Sequence, residues 1–203
     1  MRTPFLFTIC GLALVFGGCS EQPQKTEKKA EKPAEAVTGQ SALFRMYQVA
    51  RSWASDVEVL EMHSMHLTEL PDVHGKAGAW QATFVSEGRN QARVYTYSVI
   101  EAEPNLHEGV FPSQPESWSG PGSGNKPFLI AAVKIDTDAA YRTALKEAGS
   151  AAKDNRQTIA FVLDKQSKFT NASWRVIWGE SIGTSGLSVF IDASTGAYLE
   201  TMH

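Results

Sequence analysis

Hydrophobic and polar positions along this chain follow a helical period and a strand period, and the two periods occur in the same order twice. Residues 42–53 carry apolar side chains at spacings of three and four, which predicts an amphipathic helix with Ser41 as its N-cap. Residues 79–86 alternate, with Trp80 and Phe84 on one face, which predicts a β-strand. The first part of the chain is thus predicted to form a helix over residues 42–53 and strands over residues 57–67, 79–86 and 92–101.

The second part of the chain repeats this order. Its predicted elements are a strand over residues 128–135, a helix over residues 139–152 capped by Asp136, and strands over residues 159–163, 174–179, 187–191 and 197–201. Residues 80–84 match residues 174–178, and residues 93–97 match residues 187–191. This pattern predicts an α+β fold, built from a duplicated helix plus antiparallel β-sheet unit with the helices packed on the sheet. Chance similarity between two α+β segments is the alternative, and the pattern leaves open whether the halves form one sheet or two.

The N-terminus has the pattern of a secretory signal peptide over residues 1–18. A single Arg2 precedes an apolar stretch that ends in small residues. The apolar stretch over residues 4–18 is shorter than the roughly 20 residues that a transmembrane helix needs. We therefore expect these residues to be removed from the mature protein.

A cysteine, Cys19, directly follows Gly17 and Gly18 and precedes a polar segment, which resembles the lipobox of bacterial lipoproteins. The resemblance implies cleavage before Cys19 and a lipid on this residue, which would anchor the protein in a membrane. Ser20 at the next position resembles the signal for the outer membrane of a Gram-negative cell, with the protein facing the periplasm. An ordinary cleavable signal with an incidental cysteine is the alternative.

Composition and charge bear on the spacer, on the class of partner and on thiol chemistry. Residues 20–40 carry four Glu, four Lys and no aromatic side chain, so residues 19–41 are predicted to be a disordered spacer after the lipid. The alternative is that the spacer lysines touch anionic lipid or peptidoglycan. The formal net charge of −3 gives no reason to expect nucleic acid as a partner. Cys10 and Cys19 are the only cysteines, so the folded part has no thiol chemistry.

The end of the chain carries a second resemblance. Residues 174–176, a Gly- and Ser-rich gap and residues 189–199, which contain Asp192-x-x-Thr195-Gly196, resemble the end of a PepSY domain. The likeness covers residues 136–200 and implies a periplasmic binding or inhibitory module without active-site residues. Tandem αβ repeats of this broad shape also occur in a β-lactamase inhibitor. From the residues alone, Asp192 can accept backbone N–H groups and Gly196 can adopt positive φ, which predicts a structural turn.

Candidate chemistry is sparse. Three histidines lie close together in the sequence: His63, His66 and His74. On a strand, residues 63 and 66 point to opposite faces, so we expect no metal site and no cofactor. The carboxylate pairs are interpreted as solvated: Glu58 with Glu61, and Glu101 with Glu103. Because no motif pairs a nucleophile with a base, we expect no enzyme, and an unrecognised hydrolase is a minor alternative.

Residues 104–127 are rich in Pro and Gly and connect the two halves, yet they contain Phe111 and Trp118. Long loops are often functional and aromatic side chains anchor interfaces, so both residues are candidates for binding a partner. The alternative is that both rings fold back onto the sheets. The predicted organisation is a signal peptide over 1–18, a lipidated cysteine and spacer over 19–41, a first αβ repeat over 42–103, a connecting loop over 104–127 and a second repeat over 128–203.

Together these patterns predict a lipid-anchored envelope protein that binds or inhibits an unknown protein or peptide of the cell envelope without catalysis. The alternative is a structural or assembly lipoprotein of the outer membrane.

Overall fold

The alternating and helical patterns of the sequence both appear in a computed structural model, which describes residues 33–122, 124–152, 158–183 and 185–203. Within it, residues 34–203 group as one unit. The predicted signal peptide over 1–18, the lipidated Cys19 and the spacer up to residue 32 lie outside the described residues.

The described residues contain two α-helices. Helix α1 covers Gly39–Trp53 and helix α2 covers Thr137–Ala148. The strands are β1 (Val37–Thr38), β2 (Glu58–Met65), β3 (Lys76–Ala77), β4 (Ala79–Ser86), β5 (Gln91–Ser98), β6 (Gly109–Pro112), β7 (Glu116–Ser117), β8 (Ile159–Asp164), β9 (Ser173–Trp178), β10 (Leu187–Asp192) and β11 (Tyr198–Met202). Short 3₁₀ helices cover Ile130–Ala132 and Gly149–Ala152.

The two halves share one antiparallel sheet in the described part of the chain. Its strand order is β11-β10-β9-β8-β2-β4-β5-β6, and β7 pairs with the far end of β5. Strands β2 and β8 meet at the centre, where Glu61 lies opposite Asp164 and His63 lies opposite Val162. The prediction of an α+β fold with helices on an antiparallel sheet is confirmed, and the open question is answered by a single continuous sheet.

One face of this sheet packs against both helices and forms the main core. Leu43 and Met46 of α1, and Ala140 and Ala144 of α2, are fully buried against it. Five large aromatic side chains on this face are buried: Trp80, Tyr95, Tyr97, Trp174 and Trp178. Burial of these large apolar surfaces is the main driving force for the fold, because aromatic side chains remove the most apolar area from water.

Two tryptophans fix the sheet to the helices in the same way. Trp80 Nε1 donates to the carbonyl of Val37 at 3.2 Å, and Trp174 Nε1 donates to the carbonyl of Ile135 at 2.7 Å. Each acceptor lies two residues before the first residue of its helix, and each tryptophan lies on the second strand of a four-strand meander. The same contact therefore sets the start of each helix against the sheet.

Helix α1 begins before the expected position. Its first residue is Gly39, so Ser41 lies inside the helix and is not its N-cap. The early start has a tertiary cause, because the N–H of Gly39 donates to Thr137 Oγ1 at 2.8 Å and the N–H of Gln40 donates to Asp136 Oδ1 at 2.9 Å. Groups from the start of α2 thus satisfy the first donors of α1, which would otherwise lack partners. Asp136 is the N-cap of α2, which begins at Thr137 and ends at Ala148, so the predicted bounds of 139–152 are shifted and the last four residues form a 3₁₀ helix.

The predicted strand over residues 128–135 is wrong. Phe128 makes an isolated antiparallel bridge with Val59, and the chain then turns through the 3₁₀ helix Ile130–Ala132. The N–H groups of Lys134 and Ile135 both donate to the carbonyl of Ala193, at 2.8 and 2.9 Å. A run of apolar residues indicates burial, but it does not distinguish a strand from an irregular buried connection.

Candidate functional site

The turn after β10 has the geometry that its sequence predicts. Asp192 Oδ1 accepts from the N–H groups of Ser194 and Thr195 at 2.8 and 2.9 Å, and Gly196 has φ of +78°. Burial raises the pKa of Asp192, but these bonds and one from Asn171 Nδ2 outweigh it, so the pKa lies below its ordinary value. The prediction that Asp192, Thr195 and Gly196 form a structural turn is confirmed.

The sheet face opposite the helices carries a continuous row of side chains across five strands. Cross-strand pairs link Val162, His63, Gln81, Thr96 and Phe111, on β8, β2, β4, β5 and β6. Directly opposed residues share a sheet face, and adjacent strands lie about 4.8 Å apart, so the row spans about 19 Å. Four members are half-buried and Phe111 is 44% exposed. This set is called the open row below.

Two carboxyl groups face each other beside the open row. Glu61 on β2 lies opposite Asp164 on β8, and Glu61 also lies opposite Thr83 on β4. Burial raises the pKa of Asp164, and the nearby charge of Glu61 raises it further, although a hydrogen bond from Gln166 Nε2 to Oδ2 at 3.0 Å opposes both. Asp164 Oδ1 is buried without a hydrogen-bond partner in the described residues. Glu61 Oε2 accepts from Asn125 Nδ2 at 3.5 Å, and Arg175 on β9 lies opposite Val162, so the centre of this sheet face carries both acceptors and a charged donor.

Burial favours the neutral form of the histidine in the open row. Burial lowers the pKa of His63, and the charge of Glu61 opposes the shift only in part. A neutral imidazole can donate at one nitrogen and accept at the other. The open row therefore presents an aromatic ring, an imidazole, an amide and a hydroxyl on a flat sheet, without a row of like charges that would repel a partner.

The structure does not bring the two predicted binding residues together. Phe111 lies in β6 opposite Thr96, and its ring centroid is 4.9 Å from that of His107. Trp118 follows β7 and is half-buried, and its backbone N–H donates to the carbonyl of Asn90 at 2.9 Å. Residues 90 and 96 are about 20 Å apart along β5. Phe111 belongs to the open row, whereas Trp118 lies at the other end of that strand. Residues 104–127 are also not a loop throughout, because β6 and β7 both pair with β5.

The other half of this sheet face is closed. Ile177 on β9 and Phe190 on β10 point away from the helices, yet they are 0% and 1% exposed. The ring of Phe169 covers Phe190 at a centroid distance of 5.5 Å, and Lys168 Nζ lies 4.7 Å from the Phe190 centroid. The surface that can meet a partner is therefore the part from β8 to β6.

The histidines of residues 63–74 and His107 lie at separate places in the fold. His66 Nδ1 lies 3.4 Å from Asp72 Oδ2, and His107 Nδ1 lies 3.1 Å from Glu101 Oε2. His74 occupies a tight turn with φ of +52°. In the part of the chain that the structure describes, no three His, Cys, Asp or Glu side chains are arranged to hold a metal ion.

A cavity beside α2 went unnoticed in the sequence. It has a volume of about 570 Å³ and is bounded by His66, Asp72, Lys76, Tyr141, Leu145 and Ile159. Residues 66–76 and α2 are far apart in the chain, and no periodicity indicates that they meet. The only local signal is a carboxylate after a proline, at Asp72, between two histidines.

Comparisons with protein-family models, with curated proteins and with solved structures give no match to this chain. Neither helix in the described ranges is long and apolar enough to cross a bilayer. Conclusions about function therefore rest on the open row, the Asp192 turn and the cavity.

Proposed function

We propose that this chain is a lipid-anchored envelope protein, held through Cys19 at the periplasmic side of the outer membrane, whose sheet binds a protein or peptide partner without catalysis. The observation that carries the binding role is the open row, a face of five strands that no helix of the described residues covers and that a loop, residues 180–183, borders at the β8 end. Such a face offers a rigid, preformed surface, which lowers the entropy lost on association.

The chemistry of the open row supports binding over catalysis. Its side chains are a valine, a histidine, a glutamine, a threonine and a phenylalanine, which suit packing and hydrogen bonding. An exposed ring at one end, Phe111, and the charged groups of Glu61 and Arg175 near the other give the surface two different ends. A partner with an apolar contact at one end and polar or charged groups at the other would match both.

We also propose that the two halves are copies of one PepSY-like unit. Strands β2, β4, β5 and β6 run in the same order from the sheet centre as β8, β9, β10 and β11. Trp80 and Trp174 make the same contact to the residue two positions before α1 and α2, which supports a common origin. The Asp192 turn, which resembles that of PepSY domains, lies in the second copy.

Site-specific photocrosslinking in intact cells tests the binding role. A photoreactive residue placed at Gln81 or Thr96 would lie in the open row, and one placed at Gln48 on the exposed face of α1 is the matched control. We expect a discrete protein adduct from Gln81 and Thr96 and none from Gln48. Equal adducts at all three positions, or none at any, would contradict the proposal. An adduct that contains peptidoglycan fragments in place of polypeptide would favour the structural role at the cell wall.

The anchor is tested separately by metabolic labelling with a palmitate analogue. We expect the label on the unmodified chain and its loss in Cys19→Ser. Labelling that is unchanged by Cys19→Ser would show that the cysteine is incidental and that the first part of the proposal is wrong.

A further inference from the structure

The cavity beside α2 combines an apolar interior with a polar rim. Phe161 and Trp178 form its almost wholly buried floor, and Tyr141 and Leu145 of α2 line one side. The rings of Tyr141 and Phe161 meet edge to face, at a centroid distance of 6.3 Å. A concave site of this size, with apolar walls and few polar groups, is typical of small-molecule binding.

The polar group that distinguishes this cavity is the carboxyl group of Asp72. Its side chain is only 10% exposed, and Oδ1 has no hydrogen-bond partner in the described residues. Its partner, His66 Nδ1, lies 3.4 Å from Oδ2, which is long for a hydrogen bond. Burial raises the pKa of Asp72, and the contact with His66 and a hydrogen bond from the backbone N–H of Gly78 oppose this only in part. A buried carboxylate without a close counter-charge is costly, and a cation beside it would offset that cost.

The cation does not come from the described part of this chain. No Lys or Arg nitrogen there lies within ion-pair distance of Asp72, and Lys76 is exposed at the rim of the same cavity. An exposed ammonium group such as that of Lys76 is well solvated and contributes little at a distance. A ligand that carries a positive charge would supply a close counter-charge for Asp72.

We propose that this cavity binds a small organic amine with an apolar or aromatic body. The ammonium group would pair with the carboxylate of Asp72, and the apolar body would lie against Tyr141 and Leu145. Aromatic rings at the floor favour the same charge, because the face of a π-system attracts cations. An anionic ligand would gain nothing from the buried carboxylate. This inference goes beyond the proposed function, since the cavity lies on the helix side of the sheet and the open row lies on the other.

Methyl NMR of the full chain, titrated with phenethylamine, tests the proposal. Leu145 reports on the cavity, and Leu43, buried in the core, reports on folding. We expect the Leu145 methyl signals to shift with an apparent Kd of about 1 mM, as for a fragment of this size. The same titration with 3-phenylpropionate, which carries the opposite charge, should leave Leu145 unmoved.

Asp72→Asn keeps the shape of the side chain and removes its charge, so we expect it to weaken phenethylamine binding about tenfold or more. The matched control is Glu101→Gln, which alters the other carboxylate–histidine pair, outside the cavity, and should leave binding unchanged. Unaltered Leu43 signals would show that both variants fold. Equal binding of 3-phenylpropionate, unchanged binding by Asp72→Asn, or no shift of Leu145 up to about 10 mM phenethylamine would overturn the proposal.

Discussion

The two halves of the sheet share one arrangement of helix and strands, but their outer faces differ. Both follow a helix with a four-strand meander, and both use a tryptophan to fix the start of the helix. On the face away from the helices, however, the second half is closed by Phe169 over Phe190, whereas the first half leaves Gln81, Thr96 and Phe111 accessible. Equivalent strands thus have a buried outer face in one half and an accessible outer face in the other, depending on whether a connecting segment covers them.

The difference between the outer faces of the two halves is tested most directly by removing one phenylalanine from each half. Phe190→Ala should lower the free energy of unfolding by about 3–5 kcal/mol, because it empties a fully buried site. Phe111→Ala removes a ring that is 44% exposed and should change it by about 1 kcal/mol or less. Urea unfolding of both variants gives the two values. Similar losses in the two would mean that the face of the first half is not open.

A second pair of variants tests the tryptophan contact that the two halves share. Trp80→Phe and Trp174→Phe each remove an indole N–H and leave a carbonyl, of Val37 or Ile135, without its donor. We expect each to lower the free energy of unfolding by about 2 kcal/mol, since both the bond and part of the packing are lost. If one variant were neutral and the other severely unstable, the two tryptophans would not be equivalent.

The Asp192 turn belongs to the second half, and its removal should have a smaller effect. Asp192→Ala leaves the N–H groups of Ser194 and Thr195 to water and should lower the free energy of unfolding by about 1 kcal/mol at pH 7. Because the pKa of Asp192 is lowered in the folded state, this stabilisation should begin to decline as the pH falls below about 4 and should be lost as the pH passes through the lowered pKa. Thermal unfolding at pH 7 and pH 3 measures both effects. A loss that is undiminished at pH 3 would point to packing in place of charge.

The smallest expected effect lies at the junction of the halves. The pKa of Asp164 is raised on folding, so above about 4 the folded state keeps a proton that the unfolded chain has released. Stability should therefore fall as the pH rises from about 4 through the raised pKa, and Asp164→Asn should flatten this decline and be slightly more stable at pH 7. Urea midpoints at pH 4, 5.5 and 7 would reveal it. A variant with the same pH profile as the unmodified chain would show that Asp164 titrates normally.

Sequence reasoning recovered the elements with strong local signals. Strand β4 has the predicted bounds, and the Asp192 turn has the predicted bonds, because alternation and turn chemistry are encoded within a few residues. The start of α1 was missed because its first donor is satisfied by Thr137, 98 residues later. Residues 128–135 were misassigned because continuous burial does not specify strand pairing.

The candidate site was only partly foreseen. Phe111 was chosen for its ring, but its place in a strand opposite Thr96 depends on pairing that no local pattern reveals. The open row joins five strands, and its central pairing, β2 with β8, connects residues about 100 apart in the sequence. The carboxyl group of Asp72 lies at the same cavity as α2, and no local pattern of the sequence connects the two. Contacts between segments that are distant in the sequence thus determine the site, whereas local periodicity determines the helices and strands.

The short pairing of β1 with β3 has a mechanical consequence. Val37 pairs with Ala77 and Thr38 with Lys76, and the carbonyl of Val37 is held by Trp80 on β4. Tension on the N-terminal segment would reach these strands before it reached the first turn of α1. A pulling force on the N-terminal segment would therefore act on the β1–β3 pair and on the bond from Trp80 to Val37 before it acted on α1.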